Sequence, residues 1–207
     1  MYLPMRLVLH EHVHDFMAFK QRAFVMTEHE FSDVYRKVSS VSELQGETDL
    51  NEACTREILA TVNSGSVLEV GSGRGYLAEK LHAQGLEVTA CDIVVSPDLI
   101  ERLPGITFVE NSMEHLPFPD ASFDTVVTTH TLEHVQDLSK SVAELRRVAR
   151  RRLVIVVPKQ RPYKYNFSLY INFFPYEWSL VGQLGFRPDV TIKDLGDWFY
   201  EERLAGP

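Results

Sequence analysis

The chain is poor in cysteine, and it has no excess of basic residues. Its 207 residues include two cysteines, Cys54 and Cys91, and the second lies in a predicted buried strand. A disulfide between them is therefore disfavoured, and a reducing cytoplasm is the expected compartment. The net charge of −8 disfavours broad binding to nucleic acid, which requires many side chains that neutralise phosphate.

Long apolar runs are also missing from the sequence. No stretch approaches the roughly 20 apolar residues of a membrane-spanning helix, and the N-terminus does not have the basic and then apolar pattern of a signal peptide. We find no internal repeat and no low-complexity segment. A chain of 207 residues with 44% hydrophobic content is expected to form one globular domain with a sizeable core.

The rest of the sequence is organised around a glycine-rich turn, Gly71-Ser72-Gly73-Arg74-Gly75. A short apolar run at 67–70 predicts a buried strand before the turn, and a helical pattern begins near Tyr76. Glycines let the backbone turn sharply and bring a ligand close to the main chain. The following helix N-terminus directs unpaired N–H groups at that ligand. The turn therefore predicts a nucleotide-type binding site.

Details around the turn discriminate between cofactors. The dinucleotide fingerprint requires glycine where this chain has Tyr76. Glu69 lies two residues before the first glycine, where a carboxylate repels phosphate but suits an ammonium group. Asp92 ends the next predicted strand, and an acid at that distance hydrogen-bonds ribose hydroxyls. E-x-G-x-G-x-G followed by Asp92 resembles the turn of the class I S-adenosylmethionine (SAM)-dependent methyltransferases, especially the small type 11 family.

The pattern of the whole chain is similar to the fold of that family. Five apolar strands alternate with helices, and two further strands are predicted at 186–192 and 198–203. This order predicts an α/β fold with a doubly wound, mostly parallel seven-stranded sheet of the Rossmann-like methyltransferase type, with N-terminal helices added. Residues 1–48 are expected to form an N-terminal helical arm or lid, and residues 49–207 the SAM-binding methyltransferase domain. The arm either covers the cofactor and substrate or packs on the sheet edge.

Several helix starts can be predicted from local signals. Thr27 with Glu30, and Asp49 with Glu52, form capping-box patterns. Pro175 is predicted at the first position of a later helix.

Two charged segments have open interpretations. Arg150–Arg152 is predicted to be the solvated C-terminal end of a helix, with an RNA-binding patch as the alternative. His10, His12 and His14 would share one face of a strand and could bind a metal, or they belong to a polar arm.

The resemblance implies SAM as cofactor and S-adenosylhomocysteine (SAH) as product. In the loop after the third strand, the family has an Asp and a small apolar residue where this chain has Ser112 and Met113. A serine can still bond the adenine amino group, and Met113 can pack on the ring face. The predicted cofactor contacts are Glu69, Gly71, Ser72, Gly73, Gly75, Tyr76, Asp92, Ile93, Ser112, Met113 and Thr129.

Candidate catalytic residues follow the fourth predicted strand. Ligands bind outside the carboxyl ends of the strands in open α/β sheets, so His130 is expected near the transferred methyl group and is the first candidate base. Glu133 and His134 are second candidates, and His134 alternatively serves the fold. His130-x-x-Glu133-His134 also resembles the E-x-x-E-H motif of metal-dependent small-RNA 2′-O-methyltransferases and ubiquinone-pathway O-methyltransferases, on one helical turn. The first Glu is replaced and no fourth ligand is identifiable, so no metal is predicted.

An aromatic and basic loop after the fifth strand is the candidate substrate segment. Its predicted contacts are Arg161, Tyr163, Lys164 and Tyr165, which would hold a planar or anionic acceptor or form a small core under a lid. The resemblance implies methyl transfer to an oxygen or nitrogen of a small-molecule acceptor. The alternatives are a non-catalytic SAM-binding regulatory or scaffold protein, and a protein or RNA methyltransferase. The oligomeric state stays open, with a homodimer among the alternatives.

Overall fold

The computed structural model describes residues 19–40, 48–162 and 169–205. Residues 19–22 are helical and run into a 3-10 turn at Ala23–Val25. The strands are β1 (Ser66–Val70), β2 (Glu87–Asp92), β3 (Thr107–Glu110), β4 (Phe123–Thr129), β5 (Ala149–Val157), β6 (Val190–Asp194) and β7 (Trp198–Arg203). The helices are α1 (Glu28–Ser40), α2 (Glu52–Thr61), α3 (Tyr76–Ala83), α4 (Pro97–Arg102), α5 (Leu138–Val148) and α6 (Glu177–Leu184).

The strands form one seven-stranded sheet in the order β3-β2-β1-β4-β5-β7-β6. Strands β1 to β5 pair in parallel, and β7 is antiparallel to both β5 and β6. The predicted doubly wound, mostly parallel seven-stranded sheet is confirmed. Strand order reverses between β1 and β4, and such a switch point opens a crevice at the carboxyl ends of the strands.

Both faces of the central strands are buried, which explains their nearly continuous apolar sequences. Leu68 and Val126 pack into one core cluster, whereas their neighbours Val67 and Val127 pack into the cluster on the other face. All four side chains are 0% exposed. Because side chains alternate across a strand, a strand covered by helices on both faces is expected to be apolar at most positions. In the described part of the chain, no helix is long and apolar enough to cross a membrane.

The structure confirms one predicted helix start and corrects two others. Glu30 accepts a hydrogen bond from the Thr27 backbone N–H at 2.8 Å, which closes the predicted capping box. Helix α2 is capped by Asn51, whose side chain accepts from the Cys54 N–H at 2.9 Å, and not by Asp49. Tyr176 caps α6, so Pro175 precedes the cap and is not the first helical residue. Neighbouring candidate caps compete, and only the local backbone path selects one.

The prediction that Arg150–Arg152 ends a helix is wrong. Helix α5 ends at Val148, Ala149 is already extended, and the arginines belong to β5. Arg150 contacts Asp124 at 3.1 Å, and Arg152 contacts Glu201 at 3.0 Å. The neighbouring strands β4 and β7 thus supply the counter-charges that let this charged segment extend the strand.

Candidate active site

A cavity of about 1100 Å³ lies at the carboxyl ends of β1, β2 and β4. Gly71 follows β1, Asp92 ends β2 and His130 follows β4, and all three line the cavity. Small-molecule sites have volumes of about 300–1,000 Å³. The cavity is therefore large enough for a cofactor together with a second small ligand.

At Gly71 the backbone of the glycine turn lies so close to Thr131 that a residue with a Cβ would not fit. Gly71 has φ +79°, and a Cβ at this position would overlap the Thr131 hydroxyl and lie 2.6 Å from its methyl carbon. Gly73 has φ +50°, and its missing Cβ would face open space. The backbone at Gly73 is therefore open to a ligand.

Asp92 is held in place by the glycine turn and by its own loop. Its carboxylate accepts from the Gly73 N–H at 2.7 Å and from the Val94 N–H at 3.1 Å. Burial raises the pKa of Asp92, and these backbone hydrogen bonds oppose that shift. An oriented carboxylate that lines a cavity beside a glycine turn suits vicinal hydroxyls such as those of ribose.

The other predicted cofactor contacts fall into two groups. Tyr76, Ile93, Ser112 and Met113 line the cavity together with Gly71, Gly73 and Asp92. The side chain of Ser112 also accepts from the Glu114 N–H at 3.2 Å and caps the 3-10 turn Met113–His115. The remaining predicted contacts do not line the cavity: Glu69, Ser72, Gly75 and Thr129.

Glu69 lies just behind the cavity wall. Its side chain is buried, 2% exposed, and within the described part of the chain Oε2 has no hydrogen-bond partner. Burial, with a smaller repulsion from Asp92, raises the pKa of Glu69 to about 8. The Oγ of Ser72 is likewise buried without a partner among the described residues. Unpaired buried acceptors beside a ligand cavity are costly unless a ligand donates to them, so these acceptors fit a ligand that carries an ammonium group.

We expect Glu69→Gln to stabilise the ligand-free protein at pH 8 by about 2–4 kcal/mol and to leave it nearly unchanged at pH 5. The folded pKa of about 8 lies above the ordinary value of 4.5, so the folded state holds the extra proton. The stability of the wild type is then highest below the ordinary pKa and is lost as pH rises through about 8, whereas a glutamine does not titrate. Urea unfolding from pH 5 to 9 measures this, and parallel pH profiles of both proteins would contradict it.

His130 lies in a strained backbone position after β4. Its φ is +50°, and its N–H donates to the Val156 carbonyl at 2.9 Å. The side chain is 12% exposed, with Nε2 3.3 Å from Asp197 Oδ2 and Nδ1 3.6 Å from Glu133 Oε1. Burial lowers the pKa of His130, but the carboxylates of Asp197 and Glu133 outweigh burial and raise it overall. A left-handed non-glycine residue at a cavity wall is typical of functional sites.

The segment after His130 is a turn and not the helical turn that the metal-site alternative requires. The His134 N–H donates to the Thr131 carbonyl at 2.9 Å, and the segment between His130 and the start of α5 contains no helix. Glu133 is fully buried and contacts His130, and burial raises its pKa to about 7. Within residues 19–40, 48–162 and 169–205, no group of three or more His, Cys, Asp or Glu residues could hold a metal ion.

His134 faces a different set of partners. Its Nδ1 is 3.3 Å from the Leu169 carbonyl, which makes Nδ1 the protonated nitrogen of a neutral ring. Burial lowers the pKa of His134 to about 4. Its ring contacts Tyr35 and Tyr170 edge to face, with centroid distances of 5.7 and 4.9 Å. His134 lines the cavity, whereas Glu133 does not.

The predicted substrate loop is only partly described. Tyr163, Lys164 and Tyr165 lie outside the described residues, as do His10, His12 and His14. Arg161 lies 5.5 Å from the ring centre of Tyr176 and does not line the cavity.

Several residues that line the cavity were not predicted as site residues. Phe31 and Tyr35 of α1 reach the cavity beside Asp92, and Leu169 and Tyr170 close it from the chain after β5. The spacing of Phe31 and Tyr35 signals an apolar helix face, but not what the face covers. Asp49, Thr131 and Gln136 complete this side of the cavity.

Comparisons with known proteins agree with this geometry. Residues 68–157 match a family model described as a methyltransferase domain, of type 11. A protein of Mycobacterium tuberculosis named as a probable S-adenosylmethionine-dependent methyltransferase is 33% identical over 104 residues, which cover 49% of this chain and 37% of that protein. The demethylmenaquinone methyltransferase of Beutenbergia cavernae is 28% identical over 155 residues, which cover 70% of this chain and 64% of that enzyme.

A solved structure shows the same fold over most of the chain. The 1,6-didemethyltoxoflavin-N1-methyltransferase of Burkholderia thailandensis, with bound 1,6-didemethyltoxoflavin and S-adenosylhomocysteine, superposes with a TM-score of 0.66. It is 22% identical, and the match covers 86% of this chain and 90% of that one. By its fold and by the matching family model, the chain is similar to class I SAM-dependent methyltransferases. The matched residues 68–157 make up less than half of the chain, and the chain spans 37% of the first of these relatives and 64% of the second.

Proposed function

We propose that the chain transfers a methyl group from SAM to an oxygen or nitrogen of a small-molecule acceptor. The observation that carries this proposal is one cavity that joins the glycine turn, Asp92 and His130 at the switch point of the sheet. Curated relatives with related sequences are named as methyltransferases, including the demethylmenaquinone enzyme. A cytoplasmic location and the oligomeric state stay predictions.

Part of the cavity would hold the cofactor. Asp92 would accept hydrogen bonds from the ribose hydroxyls, and Ser112 and Met113 would flank the adenine. The backbone of Gly73 would lie against the ligand, and Glu69 would offset the charge of its ammonium group. When bound, SAM supplies a methyl group that is already activated on a sulfonium.

The residues around His134 would hold the acceptor. Tyr35, His134 and Tyr170 form an aromatic wall that can exclude water and orient a flat molecule. Because the methyl donor is already activated, positioning is the main contribution that the protein makes, and it can supply about 7–11 kcal/mol. Where the acceptor must lose a proton, His130 or His134 would take it.

Methyl-labelled SAM tests the proposal directly. The protein is incubated with the metabolite, RNA and protein fractions of a cell extract in separate reactions. Label in the metabolite fraction supports small-molecule methylation. Label in RNA or protein would overturn the substrate class. No label in any fraction, with SAH still bound, would favour the non-catalytic alternative.

We expect His130→Ala to lower turnover about 100-fold and to change SAH affinity by less than threefold. His130 follows β4, whereas the predicted ribose and adenine contacts, Asp92, Ser112 and Met113, come from the end of β2 and the segment after β3. Labelled turnover and calorimetric SAH binding measure the two effects separately. His29→Ala is the matched control, because His29 is 86% exposed on α1. Turnover equal to that of the wild type would remove His130 as the base.

A further inference from the structure

The acceptor side of the cavity carries more negative than positive charge. Asp197 and Glu133 flank the ring of His130 at 3.3 and 3.6 Å, and Glu133 is fully buried. Asp49 lies in the lining of the cavity and contributes to the electrostatic environment of Glu133 and His130. Of the described residues that line the cavity, the arginines are Arg74 and Arg102, at the end of the glycine turn. His130 is therefore outnumbered by the carboxylates around it.

Several of these carboxylates also raise the pKa values of the tyrosines in the aromatic wall. Burial raises the pKa of Tyr170 well above its ordinary value, with further increases from Glu133, Asp49 and Asp197. Burial also raises the pKa of Tyr35, with smaller contributions from Glu133 and from Asp92. The Tyr35 hydroxyl is buried and has no hydrogen-bond partner among the described residues. A ligand at this wall therefore meets aromatic faces, one free hydroxyl and a negative potential.

We propose that the acceptor atom is a nitrogen, in an amine or N-heterocycle carried on a flat or apolar body. This inference rests on the proposed methyl transfer. The nitrogen reacts in its neutral form, so an ammonium group first loses its proton to water. The nitrogen lone pair then forms the N–C bond while the C–S bond breaks and its electron pair stays on sulfur. The nitrogen gains a positive charge, which Asp49 in the cavity lining and the carboxylates of Glu133 and Asp197 behind His130 stabilise. Any proton that the nitrogen still carries then passes to His130 or His134. The rings of Tyr35 and Tyr170 also favour a cation at their faces.

Oxygen is the less suitable acceptor for the same electrostatic reason. A hydroxyl must lose its proton before or during attack, which places negative charge on oxygen. Such charge is destabilised beside Glu133 and Asp197, because interactions between charges are strong where water is excluded. The same argument opposes the anionic acceptor that the sequence alone left open.

Three probes that share one ring test this inference on the full-length protein. Calorimetry of SAH-saturated protein compares 2-phenylethylamine, 2-phenylethanol and 3-phenylpropanoate, which differ mainly in the charge of the end group. We expect the amine to bind at least 10-fold more tightly than the carboxylate, and this preference to shrink at high salt. Asp49→Asn should reduce the preference, whereas Asp33→Asn, on α1 outside this cavity, should preserve it.

The chemical identity of the product gives a second readout. With methyl-13C SAM and the metabolite fraction, the carbon chemical shift distinguishes a methyl on nitrogen from one on oxygen. A methyl on nitrogen supports the inference, and a methyl on oxygen overturns it. Equal binding of the amine and the carboxylate, or no binding of any probe to SAH-loaded protein, also overturns it. Failure of SAH itself to bind would instead remove the proposed function, so the two failures are distinguishable.

Discussion

Replacing Gly71 with alanine is expected to lower the affinity for SAH at least 10-fold and the free energy of unfolding by about 2–5 kcal/mol. Alanine at a left-handed φ costs about 1–2 kcal/mol, and forcing a methyl group into a packed wall costs about 1–3 kcal/mol more. The new Cβ would overlap the side chain of Thr131. Relief of that overlap must move either the glycine turn or the segment after β4, and both line the cavity.

Gly85→Ala is the matched control for Gly71→Ala. Gly85 also has a left-handed φ, +83°, but it ends α3 and has nothing within 4 Å of its missing Cβ. The free energy of unfolding of this variant should fall only by the cost of alanine at a left-handed φ, and the variant should bind SAH like the wild type. Urea unfolding and calorimetry compare the two variants. If Gly71→Ala retains SAH affinity within twofold, the turn does not approach the ligand.

Asp92→Asn is expected to weaken SAH binding about 10- to 100-fold. Hydrogen bonds to a charged group contribute about 1.5–3 kcal/mol each, and the amide offers one acceptor oxygen where the carboxylate has two. In the folded chain the Asp92 carboxylate already accepts from the N–H groups of Gly73 and Val94. An amide nitrogen facing either donor would also disturb the glycine turn.

Glu110→Gln is the matched control for Asp92→Asn. Glu110 lies opposite Asp92 in the β2–β3 pairing, but its carboxylate faces Arg36 at 2.6 Å and lies outside this cavity. Its replacement should leave SAH affinity unchanged. Unchanged affinity in Asp92→Asn as well would exclude the ribose assignment, since both acids would then have only structural roles.

The parallel sheet was predictable because burial on both faces leaves a local signature. Residues 67–70, 123–129 and 153–157 read as apolar or β-branched runs, and each is a strand at the centre of the sheet. The glycine turn and Asp92 were also visible locally, since each follows directly from the end of a strand. Parallel strands bring those ends to one edge, so the structure places Gly71 and Asp92 at one cavity.

Contacts between distant parts of the chain were not predictable in this way. Phe31 and Tyr35 show helical spacing, but the pattern does not say that α1 covers the cavity beside Asp92. The boundary between α5 and β5 was placed too late, because the counter-charges of the arginines come from β4 and β7. Local propensity is a weak guide where tertiary partners decide the backbone.

The sequence by itself determined the class of fold and predicted the glycine turn and the acid that meet at the cavity. Strand periodicity, the glycine turn and the acid that ends β2 are short-range features, and each has its own physical reason. Only the tertiary structure decided the environment of His130. Asp197, from the turn between β6 and β7, lies 3.3 Å from its ring, and Glu133 lies buried behind it. Asp197 reaches His130 only because the chain topology brings the β6–β7 turn to the end of β4. No local sequence pattern therefore shows which charged group faces this histidine.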